Sequence, residues 1–171
     1  MDIPKTLVLA LAVLPMGCGL VQFDVPVEGD AQVPGCTGLT CLLGQLGFGS
    51  FTSLDLSQSQ QWQNNNANKD KVSSATLTAA SLDVTVPDGG DLSFLQSLKF
   101  SVEAPDAGQV LVAEGQSFPK GQSHVDLTAH PEVELAPYVK ASAMTITTDA
   151  SGNQPQQNTT VHAKVTFHIK L

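Results

Sequence analysis

The sequence predicts an all-β fold: an antiparallel β-sandwich of about eight strands, with immunoglobulin-like or other Greek-key connectivity. Three observations carry that expectation. Short stretches alternate apolar and polar residues, and turn sequences rich in Gly, Pro, Asp and Asn separate them at regular intervals. No stretch carries the 3.6-residue apolar period of a long amphipathic helix. At 171 residues the chain suits one domain, and with 5% aromatic residues its core must be built from Val, Leu, Ala and Ile with occasional Phe.

The elements follow in order. "VQFDVPV" (21–27) alternates Val21, Phe23, Val25 and Val27 against Gln22, Asp24 and Pro26, as a half-buried strand does. Pro26 has no N–H to give a ladder, so this strand belongs at an edge or on a bulge. "EGDAQVPG" (28–35) reads as loop. "CLLGQLGFGSF" (41–51) sets Leu and Phe among glycines and reads as a covered loop or an apolar flap. "SQSQQWQNNNANKD" (57–70) holds four Gln, four Asn and the chain's one Trp, and reads as loop or the solvent end of a strand.

From Val72 the pattern is β. "VSSATLTAASLDVTV" (72–86) runs Ala75, Leu77, Ala79 on one phase and Ala80, Leu82, Val84, Val86 on the other. A slip of one residue reverses every side chain, so a bulge near Ala79–Ala80 or a break is required. "PDGG" (87–90) is turn chemistry, and "DLSFLQSL" (91–98) suggests one helical turn capped by Asp91. A strand through Leu98, Phe100, Val102 and Ala104 follows, then "PDAG", then "QVLVAE" (109–114), a loop, and "SHVDLT" (123–128). "HPEVELAPYVKA" (130–141) predicts a connection with a helical turn near Pro137, and "SAMTITTDA" (142–150) a strand. The last run is the clearest: Val161, Ala163, Val165, Phe167, Ile169 and Leu171 face one way, against Thr160, His162, Lys164, Thr166, His168 and Lys170. A chain ending on such a strand must carry it inside a sheet.

The N-terminus supplies a location. After Lys5 comes an apolar run ending near Gly17, far short of the ~20 residues a membrane-crossing helix needs, but the size of a secretory h-region. Leu14-Pro15-Met16-Gly17-Cys18 resembles the lipobox of a bacterial lipoprotein signal peptide. Gly17 and Cys18 fit; Pro15 departs from the pattern, since Leu stands four places before the Cys instead of three, and Asp2 offsets Lys5. The resemblance covers only the first 18 residues. It implies a signal peptide over 1–17, removed to leave Cys18 as a lipidated terminus held at a membrane by several acyl chains. Gly19 in place of Asp implies the outer membrane of the cell envelope.

With Cys18 lipidated, the odd cysteine count resolves, and Cys36 and Cys41 remain to pair across "TGLT" in an oxidising compartment. A bridge that small contributes about 2 kcal/mol and staples a local turn. The expected organisation is then the signal peptide (1–17), an anchor, tether and lead-in with an edge strand (18–50), and the sandwich (51–171).

Chemistry is sparse. A net charge of −8 with no basic cluster argues against nucleic acid. Ser117 and Ser123 complete no nucleophile motif, and Ser123 and His124, neighbours on a strand, point to opposite faces. His162 and His168 share a face but lie ~20 Å apart along it, so neither can ligate one ion with the other; pairing with His124 or His130 across strands stays open. Asp149, Ser151 and Asn153 mimic the start of a calcium loop without its Gly and closing Glu, and Glu132 and Glu134 read as solvated charge. No metal, no cofactor and no catalytic set is expected. The functional expectation is a non-catalytic envelope lipoprotein, a structural or partner-binding accessory subunit. The alternative is a carbohydrate or small-ligand module built on Trp62 with Asn64 and Asn66, a Trp among amides being the composition of a sugar-stacking site, although such a Trp more often folds onto the core.

Overall fold

The computed structural model describes residues 21–36, 44–45 and 56–171. Among the described residues nine strands form two antiparallel sheets: β1 (Gln22–Val33), β2 (Gly44–Gln45), β3 (Ser74–Val86), β4 (Leu95–Ala104), β5 (Gly108–Gly115), β6 (His124–Asp126), β7 (Thr128–Ala129), β8 (Thr145–Gly152) and β9 (Thr159–Lys170). One sheet has the order β1-β9-β3-β6, the other β2-β8-β4-β5-β7. β6 and β7 are two halves of one run, so the pairing is that of a single long hairpin: β4 with β5, β3 with β6, β2 with β8, β1 with β9. Rolled into two facing sheets, such a hairpin is a jelly roll, the second of the two connectivities the sequence allows.

β9 lies between β1 and β3, as its uninterrupted alternation requires. Val161, Ala163, Val165, Phe167 and Ile169 are buried against the other sheet, and full burial of the larger ones is worth about 1.5–3 kcal/mol each. β1 is an edge strand that accommodates Pro26 there, but it runs on to Val33 through the stretch the sequence reads as loop. Ala31 and Val33 are buried while Asp24, Glu28 and Asp30 point to water. Acidic residues, a Pro and a Gly mute the strand signal, and they are tolerable because, among the described residues, one side of β1 is unpaired. β1 (Gln22–Val33) is thus a full strand of the four-stranded sheet.

β3 buries Ala75 and Leu77, shifts register between Leu77 and Ala79, and then buries Ala80 and Leu82. The bulge thus falls within a residue of the expected slip. In the second sheet Leu98, Phe100, Val102 and Ala104 of β4 face inward. The helical turn expected at 91–98 is instead a tight turn, Leu95 N–H donating to Leu92 C=O at 2.9 Å, and β4 starts at Leu95. The run 123–128 changes sheet: β6 pairs with β3, β7 pairs with β5, and Leu127 is buried where the chain crosses.

Among the described residues two short helices close one end of the sandwich. α2 (Ala136–Lys140) falls where Pro137 suggests it. Glu134, far from being merely solvated, accepts hydrogen bonds from Ser74 Oγ, Ala75 N–H and Ala136 N–H, each at 2.8 Å, and so pins α2 to the start of β3. α1 (Gln60–Asn64) lies in the Gln/Asn stretch read as loop, between 3-10 turns at Leu56–Gln58 and Lys69–Lys71. Ser59 caps it, its Oγ accepting the Trp62 N–H at 3.2 Å; a cap and one buried Trp outweigh the polar composition. Between the sheets, Val27, Phe100, Ile146, Ala163 and Val165 line a void of about 10 Å³, apolar and so dry.

Candidate functional site

β1 is twelve residues long, so its ends stand about 40 Å apart at ~3.3 Å per residue. At one end the chain enters and leaves together: Leu171 N–H donates to Val21 C=O and Ser73 N–H to Lys170 C=O, at 2.9 and 2.8 Å. α1 covers the same end, where Trp62 meets Phe23 edge to face with centroids 5.9 Å apart.

Trp62 is 4% exposed. Its ring offers no face on which a sugar could stack, so the ligand site drawn on Trp62, Asn64 and Asn66 does not form; the Asn pair stays at the surface while Trp62 goes into the core. Of the cysteines, Cys36 is placed, its N–H donating to Pro155 C=O at 2.8 Å, and its sulfur is not a free thiol. Cys18 and Cys41 lie outside the described residues, as does the apolar stretch 41–51 apart from β2.

The opposite end of the sandwich is made of loops. The turn after β3, the segment before β6 and the β8–β9 connection surround an open groove of about 580 Å³. Its rim carries Asp88, Lys120, Asn153, Gln154, Gln156 and Gln157. The frame beneath is tightly tied. Asp91 accepts from Ser93 Oγ (2.6 Å) and Ser93 N–H (3.0 Å), and from Gly121 N–H (2.7 Å), joining two of the loops. The Ser93 hydroxyl foremost, then the Gly121 N–H, hold its carboxyl below the usual value. Asn158 accepts from Gly35 N–H at 2.8 Å, and a Cβ at Gly35 would strike the Gln157 backbone, so that contact requires glycine. The result is a tied frame bearing amide groups at the surface that both donate and accept, which suits a polar partner surface. Asp149 and Ser151 belong to β8 and not to a calcium loop. Among the described residues no group of three His, Cys, Asp or Glu side chains is placed to hold a metal ion, and no helix is long and apolar enough to cross a membrane.

The outer face of the four-stranded sheet holds a second array, which the sequence reading left open. His168 Nδ1 lies 2.7 Å from Asp24 Oδ1, His162 Nδ1 2.8 Å from Asp30 Oδ1, and His124 Nδ1 2.7 Å from Asp83 Oδ1. A carboxylate only accepts, so each Nδ1 carries the proton. The histidines pair across strands with carboxylates, and not with one another. The signal was present in the sequence: Asp24 and Asp30 are six apart, as are His162 and His168, and antiparallel pairing brings the two spacings into register. On the other sheet, His130 Nδ1 sits 3.0 Å from Glu132.

No family model matches the chain, and none of the curated proteins does. Among solved structures it is similar to the decameric BFDV capsid protein, at 10% identity and a TM-score of 0.47, over 88% of this chain and 98% of that one. At that level the likeness carries no inference about what this chain does.

Proposed function

We propose that this is a non-catalytic outer-membrane lipoprotein, a β-sandwich anchored through acylated Cys18 that presents its loop end to a partner in the envelope. The observation that supports the reading is the position of Val21. It stands three residues after Cys18 and at the end of the sandwich where the chain both enters and leaves. Three residues reach at most about 11 Å. With Cys18 in the bilayer the domain sits close to the headgroups, and the polar groove stands roughly 40 Å outward, the length of β1. A short tether with a distal recognition end suits an accessory or structural subunit better than an enzyme. Cys36 stands at that distal end, its N–H on Pro155 C=O, and the reading pairs it with Cys41.

Intact-mass analysis of the membrane-extracted protein tests the proposal. The expected mass begins at Cys18, carries the added acyl chains, and is two hydrogens light for the Cys36–Cys41 bridge. Cys18→Ser should move the protein from the detergent phase to the aqueous phase. A mature chain with an unmodified Cys18, equally soluble in both forms, overturns the anchor and with it the outward orientation of the groove.

A further inference from the structure

Three imidazole–carboxylate contacts on the four-stranded sheet share one property: each joins a central strand to an edge strand. Asp24 and Asp30 belong to edge strand β1 and reach His168 and His162 of β9. His124 belongs to edge strand β6 and reaches Asp83 of β3. Two of these rings face carboxylates with both nitrogens. His124 has Asp126 Oδ1 at 3.3 Å from Nε2, and His162 has Glu28 Oε2 at 3.8 Å. A neutral imidazole has one N–H and one lone pair, and a lone pair facing a carboxylate is repelled. The doubly protonated ring satisfies both sides. The rows also continue one another: Asp30, His162, Asp83 and His124 stand opposite each other across all four strands.

We propose that this face is a proton-operated clasp: protons on His124, His162 and His168 hold edge strands β1 and β6 to the sheet, and their loss loosens both edges together. The charges agree. Five carboxylates (Asp24, Glu28, Asp30, Asp83, Asp126) face Lys164, Lys170 and the three rings, so the face is balanced when every ring is protonated and anionic when none is. Lys164, 3.2 Å from Glu28, remains charged throughout and does not operate the clasp. The groups opposite from β3 are Asp83, Ser81 and Thr76, of which Asp83 alone is ionic. β6 is three residues long and β1, among the described residues, pairs with β9 alone, so both depend on such cross-strand contacts more than β9 or β3 does. The inference does not rest on the lipid anchor.

Hydrogen exchange on the full chain at pH 5.5 and 8.5, corrected for intrinsic rates, reads the clasp directly. Amides of β1 and β6 should lose roughly threefold or more protection at the higher pH, relative to β4 and β8. The difference should vanish in the triple variant His124→Gln, His162→Gln, His168→Gln. Edge strands that track β4 and β8 at both pH values overturn the proposal, as does a triple variant that keeps the wild-type response. Should the triple variant not fold, Asp83→Asn alone must reduce the response of β6 more than that of β1; a response of β6 unchanged in it overturns the proposal equally.

Discussion

His168 Nδ1 stands 2.7 Å from Asp24 Oδ1, and six residues along each strand His162 repeats the contact with Asp30 at 2.8 Å. Between them Lys164 reaches Glu28 at 3.2 Å. Three acid–base pairs therefore fall into place at a single antiparallel register of β1 on β9. The buried side supports that register with Val25 opposite Phe167 and Ala31 opposite Val161. A slip of one residue would put carboxylates into the core and apolar groups into water.

The two histidine contacts should be measurable as coupling. A double-mutant cycle of Asp30→Asn and His162→Gln at pH 5.5 should give about 0.2–1 kcal/mol, the range of solvent-exposed ion pairs. A cycle pairing Asp24→Asn with His162→Gln, partners from different rows, should give close to zero.

Glu134 makes stability depend on acid. Burial alone would raise its carboxyl, but the Ala75 and Ala136 N–H groups and the Ser74 hydroxyl outweigh that and hold it below its ordinary value of 4.5. With the folded value depressed, its contribution is present above pH 4.5 and is lost as pH falls through the folded value. Glu134→Gln should cost about 1 kcal/mol at pH 7 in urea denaturation, a modest loss because the carboxylate is largely open to water, and should flatten the dependence below pH 4.5.

His124 acts with the opposite sign. The hydrogen bond to Asp83 raises it above 6.5, against a smaller opposing effect of burial, with the charges of Asp83 and Asp126 adding to the rise. Its contribution is complete below pH 6.5 and is lost as pH climbs through the folded value. Asp83→Asn should lower the ring's titration midpoint in NMR, and Asp126→Asn should lower it less.

Trp62, the chain's single tryptophan, should emit at short wavelength and resist quenching by acrylamide in the folded protein. Adding mono- or oligosaccharides should leave the emission unchanged. Trp62→Ala should destabilise by about 3–5 kcal/mol, since the edge-to-face contact with Phe23 is lost along with the burial.

Gly152 ends β8 where Leu95 begins β4, and a Cβ there would run into the Phe94 carbonyl oxygen and the Leu95 Cα. Both obstacles are backbone, so nothing can turn aside. Gly152→Ala should lower the urea midpoint sharply, a loss of about 2 kcal/mol or more, while Gly89→Ala, in an open turn, should cost less because only its backbone angle resists.

The sandwich, its central β9 and the β3 bulge were legible because alternation over ten or more residues leaves one phase for the core. β1 past Val27 was not, because Glu28, Gly29 and Asp30 resemble a turn unless β9 is known to lie alongside. α1 was hidden for a related reason: one capping Ser and one Trp decide it, and neither outweighs eight amides in a composition. The groove was illegible because its three loops are far apart in sequence. The histidine pairs lay midway: their equal spacings are visible in the text, but become meaningful only once the two strands are known to be antiparallel neighbours.

The run from His124 to Ala129 serves both sheets and stitches them along one side with Leu127 at the fold. It works as the spine of a book. The covers part there only by breaking backbone pairs on both leaves, so the interior opens more easily at the fore-edge, where β1 and β8 face each other across the small void at Val27 and Ile146.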